Sequence, residues 1–281
     1  MGPHIIPEVE YDAVMVESTY GDRVHPTPNN ELDDIITRTI SRGGTVLIPA
    51  FAVDRTEVIL MALDDAMESG AIPRVPIYVD SPMAIEALTV YRHAIDNDHT
   101  EIQPEIRDHL SSRDVFDPGT LEILRTPDES KSINNAPSCI IISASGMATG
   151  GRVVHHLKRL LPDPSNTVVL AGFQTPGTRG ASLRDGAASV RIHGQEISVQ
   201  AEIDEVEYFS VHADKDDVRA WLHSAVIPPK KSSLSTAKMM PGERRGLCWS
   251  RSSVFRCRHR DTKKPCLSRD RVSSMVTENH P

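Results

Sequence analysis

Four stretches of this chain set polar or glycine residues directly after an apolar run, which is where α/β proteins gather ligands. Glu17 ends "AVMVE", and Ser18, Thr19 and Gly21 follow it in "ESTYGDR". That reads either as a functional carboxylate or as a turn with a solvated acid. In "SASGMATGGR", Ser145, Gly146, Gly150 and Gly151 precede Arg152. Backbone N–H groups at such a helix start, with a guanidinium in its first turn, make an anion cradle; tight packing of the glycines is the alternative. The run lacks the Gly-Lys-Ser/Thr ending of a Walker loop and is no G-x-G-x-x-G. "QTPGTRGASLRDG" adds the hydroxyl of Thr178 and the guanidinium of Arg179, and "YFSVHADKDD" places His212 between an apolar stretch and a helix start. Spacing alone leaves that histidine structural or catalytic. Ser81, before Pro82, and Arg55, in "PAFAVDR", are further donors at such junctions. Several of these junctions together suggest one cleft for an anionic polymer.

The elements that must carry them alternate. "AVMVE", "TVLIPA", "PIYVD", "CIIISAS" and "TVVLAG" are near-continuous apolar runs of strand length, suited to strands covered on both faces. Between them, "NNELDDIITRTISRGG" and "DRTEVILMALDDAMESG" carry helix start and stop signals, and "GGRVVHHLKRLL" is a third helix. Strand and helix in alternation predict an α/β domain with a largely parallel sheet. "SVRIHGQEISVQAEI" breaks the order with a hairpin about His193-Gly194-Gln195, and "DKDDVRAWL" is a last helix capped by Asp214.

Charge divides the chain. The whole holds 31 Lys+Arg against 39 Asp+Glu, but from Ser232 onward there are 11 basic and four acidic residues. An acidic body excludes a broad basic surface for sequence-independent binding, so contacts to an anion are expected to be local, through Arg55, Arg152, Arg179 and backbone amides. Neither a membrane-length apolar run nor a signal-type start is present; no membrane partner is expected, and the expected setting is cytoplasmic. Cys139 lies in an apolar strand as a reduced thiol, while Cys248, Cys257 and Cys266 fall in the basic tail without zinc spacing.

Taken together, "ESTYGDR-x-H", "GGTVLIPAFAVDRT", "PIYVDSPMA", "IIISASGMATGGRVVHHL", "AGFQTPGTRGASL" and "FSVHAD" resemble the metallo-β-lactamase/β-CASP nucleases in order and separation, over residues 13 to about 231. The family includes ribonuclease J and the mRNA 3′-end endonuclease. The resemblance implies a parallel-sheet α/β β-CASP domain inserted in a split αββα metallo-β-lactamase domain, with single-stranded RNA in the cleft between them. On it, residues 1–21 are a remnant of the metallo-β-lactamase domain, 22–209 the β-CASP domain, and 210–231 a return segment. Glu17 and His212 match the family's acid and histidine, a pair in which a carboxylate holds an imidazolium that gives its proton to the leaving oxygen. Ser81, Ser145, Gly146, Gly151, Arg152, Thr178, Arg179 and Arg55 are the expected RNA and phosphate contacts. The intact form is expected to hydrolyse RNA phosphodiesters with zinc and to form a homodimer; the alternative is a non-catalytic RNA-binding fragment, and a small-molecule hydrolase ranks below both.

Two departures from the family pattern shape the expectations. The H-x-H-x-D-H motif that supplies most metal ligands lies upstream of "EST" in the family and occurs nowhere here. The chain is therefore expected to be an N-terminally truncated fragment, inactive alone and without tightly bound zinc. The family also has a strand and "V-H-G-E" soon after "PPKK", where this chain reads "SSLSTAKMM". Methionine has one codon, so the Met239-Met240-Pro241 run fixes ATGATGCC. With TCC TTG TCC ACG GCG AAG ATG ATG CC for Ser233 to Pro241, the −1 register reads Leu-Val-His-Gly-Glu-Asp-Asp-Ala. Residues 232–281 are accordingly expected to be an out-of-frame, disordered tail.

Overall fold

The computed structural model describes residues 13–97 and 114–224, with the backbone of three further strands at 231–235, 245–250 and 253–258. These residues form two compact units, one of His25–Val211 and one joining the segment up to Val24 with that from His212 on. In chain order the elements are β1 (Ala13–Glu17), α1 (Glu31–Ser41), β2 (Val46–Pro49), α2 (Arg55–Ser69), β3 (Ile77–Val79), α3 (Pro82–Asp96), β4 (Leu121–Ile123), α4 (Pro127–Ser132), β5 (Ile140–Ser143), α5 (Val153–Leu160), β6 (Thr167–Leu170), α6 (Arg179–Arg184), β7 (Ser189–Ile192), β8 (Gln195–Ser198), β9 (Glu202–Glu205), α7 (Lys215–His223), β10 (Lys231–Ser235), β11 (Arg245–Ser250) and β12 (Ser253–Arg258).

The first unit is the predicted parallel α/β architecture. Its sheet has the order β4-β3-β5-β2-β6-β9, and every neighbouring pair is parallel. β2, β5 and β6 are buried at every position because both faces are covered. Strand alternation sorts their side chains into two cores. Val46, Ile48, Ile140 and Ile142 pack with α1, α2 and α3, while Leu47, Ile141 and Val168 pack with α5 and the β7/β8 hairpin. The hairpin turns at His193-Gly194, both at positive φ, as a two-residue turn matched to strand twist requires.

Local signals set the helix ends. α2 stops at Gly70 in the left-handed conformation, and α3 starts from Ser81, whose hydroxyl accepts the Ala84 N–H ahead of Pro82 at the first helical position. Asp214 caps α7 in a capping box with Asp217.

In the second unit β1 pairs with β10 in parallel, Ala13 opposite Lys231 through Glu17 opposite Ser235, and β10 pairs antiparallel with β11, which pairs with β12. β10, β11 and β12 fall within the stretch expected to be a disordered tail. Leu247, Trp249, Val254 and Phe255 are strand-favouring residues that the basic composition masked. The rest of the tail, with Cys266, lies outside the described residues.

Two buried carboxylates in the first unit meet opposite fates. Asp80, at the end of β3, is fully buried. It accepts 2.6 Å bonds from Arg152 and His156 and a 2.5 Å bond from Ser130. Burial alone would raise its carboxyl, but the bonds from His156, Ser130 and Arg152 outweigh it and hold Asp80 below the usual range. Glu57, in the first turn of α2, is equally buried, yet neither of its oxygens has a hydrogen-bond partner. Burial first, with the Asp54 charge added, pushes it up to about 7 despite the nearby helix N–H groups.

These differences are measurable. Replacing Asp80 by Asn takes the carboxylate away from buried His156 and part-buried Arg152, and urea denaturation should show a loss of about 3–5 kcal/mol. The depressed Asp80 carboxyl contributes stability above the unfolded carboxyl range, lost as acid carries it through its folded value. Glu57 has the opposite sign: its penalty grows as pH rises from the unfolded range to about 7. Glu57→Gln should therefore stabilise the fold by roughly 2–3 kcal/mol near pH 8 and leave it nearly unchanged near pH 4, read from the same denaturation curves.

Candidate functional site

In the second unit, β1 delivers Glu17 to a tight turn. Gly21 N–H donates to the Ser18 carbonyl and Arg23 N–H to the Tyr20 carbonyl, so the chain reverses within a few residues. A Cβ on Gly21 would lie 2.8 Å from that of Ser18, which is why the turn takes glycine there. An isolated bridge from Tyr20 to Asp214 and the Lys215 N–H donated to the Arg23 carbonyl then hold the start of α7 against the turn.

That arrangement places His212 beside Glu17. The imidazole Nδ1 stands 3.5 Å from Glu17 Oε1, and both side chains are about half exposed. Glu17 Oε1 also accepts the Ala213 N–H at 3.2 Å, and Oε2 accepts both the N–H and the hydroxyl of Thr19 at 2.9 Å. Partial burial pushes the Glu17 carboxyl up, but the Thr19 donors, His212 and the Ala213 N–H together hold it below its ordinary value. The Tyr20 ring lies 6.3 Å from that of His212, and the Arg23 guanidinium sits over Tyr20 at 5.7 Å. An ionised carboxylate facing an imidazole edge that water reaches is an arrangement able to pass a proton to an oxyanion leaving group.

The strand-end residues of the first unit sit otherwise than expected. Arg55 is buried and donates to the Ala171 carbonyl. Arg152 donates to Asp80, to the Leu124 carbonyl at 2.8 Å and to that of Arg125 at 2.7 Å. Arg179 donates to the Ala148 and Arg191 carbonyls. The three guanidinium groups, expected as phosphate contacts, each donate to backbone carbonyls, a task five fixed N–H donors suit. Ser81 and Thr178, also expected as ligand donors, cap α3 and α6.

The glycines expected to open a cradle are packing positions too. A Cβ on Gly146 would press on Phe51 at 3.1 Å, and one on Gly151, at φ +75°, would strike the Ala144 carbonyl at 2.6 Å. Ser145 accepts the Thr149 N–H, leaving Thr149 and Gly151 exposed at the loop tip and Pro176 and Gly177 exposed at the tip of the next loop.

Sequence reading missed Asp80 and His156. The signal was there: Arg152 and His156 are four apart, so both lie on one face of α5, and "VD" ends a buried strand. Thr19 was noted only as a turn residue. Among the described residues no set of three or more His, Cys, Asp or Glu could hold a metal ion, so the residues present do not fit the zinc that the resemblance implies.

The Arg152 assignment has a direct check. Arg152→Ala should destabilise the first unit, and combined with Asp80→Asn it should cost less than the sum of the two by about 1–3 kcal/mol, as partners in one buried network do; denaturation of the two single variants and the double variant measures that coupling.

Comparison with known proteins places this geometry in a family. Residues 56–183 match the model of the Beta-Casp domain, and residues 196–229 match that of the Zn-dependent metallo-hydrolase RNA specificity domain. Ribonuclease TTHA0252 of Thermus thermophilus is 39% identical over 215 residues, covering 75% of this chain and 49% of that protein. An RNase J-like protein of Methanocaldococcus jannaschii is 34% identical, over 84% of this chain and 53% of its own length. Transcription termination factor FttA of Thermococcus kodakarensis is 30% identical, over 80% and 36%. The chain thus spans about half or less of these relatives. A parallel sheet with every neighbour in register, a carboxylate and imidazole at the end of β1, and these matches agree: the chain belongs to the β-CASP family of metallo-β-lactamase-type proteins.

Proposed function

We propose that this chain is the RNA-handling portion of a ribonuclease that hydrolyses phosphodiester bonds in single-stranded RNA. The observation that carries the reading is the Glu17 carboxylate 3.5 Å from the His212 imidazole at the mouth of a short turn. It is supported by a relative named as a ribonuclease and by a match to an RNA specificity domain.

In the proposed step a water oxygen bonds to phosphorus and gives up a proton to bulk water as the ester P–O bond breaks, while protonated His212 gives its proton to the departing oxygen and regains one from solvent. Glu17, ionised, holds the imidazolium and disperses its charge as the proton leaves. RNA meets the first unit at the exposed loop tips about Thr149 to Gly151 and Pro176-Gly177, whose shape Arg152 and Arg179 hold from below. Zinc belongs to the proposed whole enzyme; no step is assigned to it here, because the described residues offer no set to bind it. That same observation favours, as a second reading, RNA binding without cleavage.

Turnover on a single-stranded RNA substrate separates the two. In the whole enzyme, His212→Ala should reduce cleavage by about 10²- to 10⁴-fold, the range for a positioned proton donor, and Glu17→Gln should fall in the same direction, both with unchanged thermal unfolding. Tight RNA binding with no cleavage by the unaltered chain would favour the second reading, and full turnover in both variants would end the catalytic assignment.

A further inference from the structure

Thr19 makes two bonds to one carboxylate oxygen that the turn around it does not need. The reversal after β1 is already closed by Gly21 N–H to the Ser18 carbonyl and by Arg23 N–H to that of Tyr20. Removing the Thr19 hydroxyl would therefore leave the backbone path intact. What it would loosen is Glu17, whose Oε2 would keep only the Thr19 N–H. That side chain is about half exposed, and a carboxylate three rotatable bonds from its Cα would turn among several rotamers in water.

The two donors remove that freedom. With Oε2 held at 2.9 Å by both the N–H and the hydroxyl of Thr19, the carboxylate plane is fixed, and Oε1 is left facing His212 Nδ1 and the Ala213 N–H. We infer that Thr19 is a positioning residue, whose hydroxyl aims the Glu17 carboxylate at His212 so that the imidazole is gripped from one side only. This deepens the nuclease reading and rests on it for its catalytic consequence, though not for its geometry. Serine keeps the hydroxyl; valine keeps the shape and loses it. The Tyr20 ring, held by Arg23, then limits the other face of His212.

The test uses the full chain with Thr19→Val and Thr19→Ser beside the unaltered protein. Carbon-13 carboxyl NMR follows the titration of Glu17, and nitrogen-15 shifts of His212 report which ring nitrogen carries the proton. In Thr19→Val the Glu17 carboxyl should titrate at higher pH, the His212 tautomer signal should move, and RNA turnover should fall about three- to tenfold, one charge-assisted hydrogen bond's worth. Thr19→Ser should behave as the unaltered chain in all three, and thermal unfolding should not separate them. A Glu17 carboxyl that titrates alike in all three proteins overturns the assignment whatever turnover shows. Unchanged turnover in Thr19→Val, where His212→Ala abolishes it, also overturns it. If the unaltered chain cleaves no RNA while Glu17 and His212 still respond to Thr19→Val, the nuclease reading falls and the positioning of the carboxylate stands.

Discussion

One buried charge organises the first unit. Asp80 follows β3, the second strand from one edge of the parallel sheet, fully out of water, and an isolated carboxylate there would be prohibitively desolvated. It is stable because Arg152, His156 and Ser130 all donate to it. Those donors come from the loop and helix after β5 and from the helix after β4, and the Asp80 carbonyl accepts the Ser143 hydroxyl at the end of β5 as well. A single side chain thus fixes the ends of three adjacent strands. The loops that follow inherit their positions from it.

The same logic explains where the arginines went. A parallel sheet stops abruptly at its C-terminal edge, and each loop that leaves it carries carbonyl groups with no ladder partner. Arg55, Arg152 and Arg179 reach those carbonyls from neighbouring loops. Guanidinium groups used this way act as fixed cross-braces, because their donors are planar and several bonds share one rigid group. Gln174 adds a neutral brace between two loops through the Gly146 and Gly172 carbonyls.

The second unit builds its pair by a different route. Glu17 and His212 are far apart in the chain, and no buried charge draws them together. A turn of minimal length after β1, a bridge at Tyr20 and a capped helix start at Asp214 bring the two segments side by side. The side chains stay half exposed, so the carboxylate gains its charge state from hydrogen bonds and from the imidazole rather than from exclusion of water. An acid held ionised in this way remains open to a substrate.

By itself the sequence determined the order of elements. Its apolar runs suit strands covered on both faces, as β2, β3, β5 and β6 are, although Met15 of β1 is exposed, and Gly70, Ser81, Asp214 and the His193-Gly194 turn are local signals that need no distant partner. That Glu17 and His212 are worth pairing was suggested by the family resemblance, and the structure sets the two side chains 3.5 Å apart. What only the tertiary structure decided is the direction each polar side chain faces. Arg152 looks the same in sequence whether it meets a phosphate or Asp80, since the choice depends on a carboxylate 72 residues away. Asp80 and Glu57 likewise sit at similar strand and helix junctions, and only their surroundings make one fully bonded and ionised and the other unpartnered with its carboxyl near 7. Local preference is written along the chain, whereas desolvation and long-range hydrogen bonding exist only once distant segments meet.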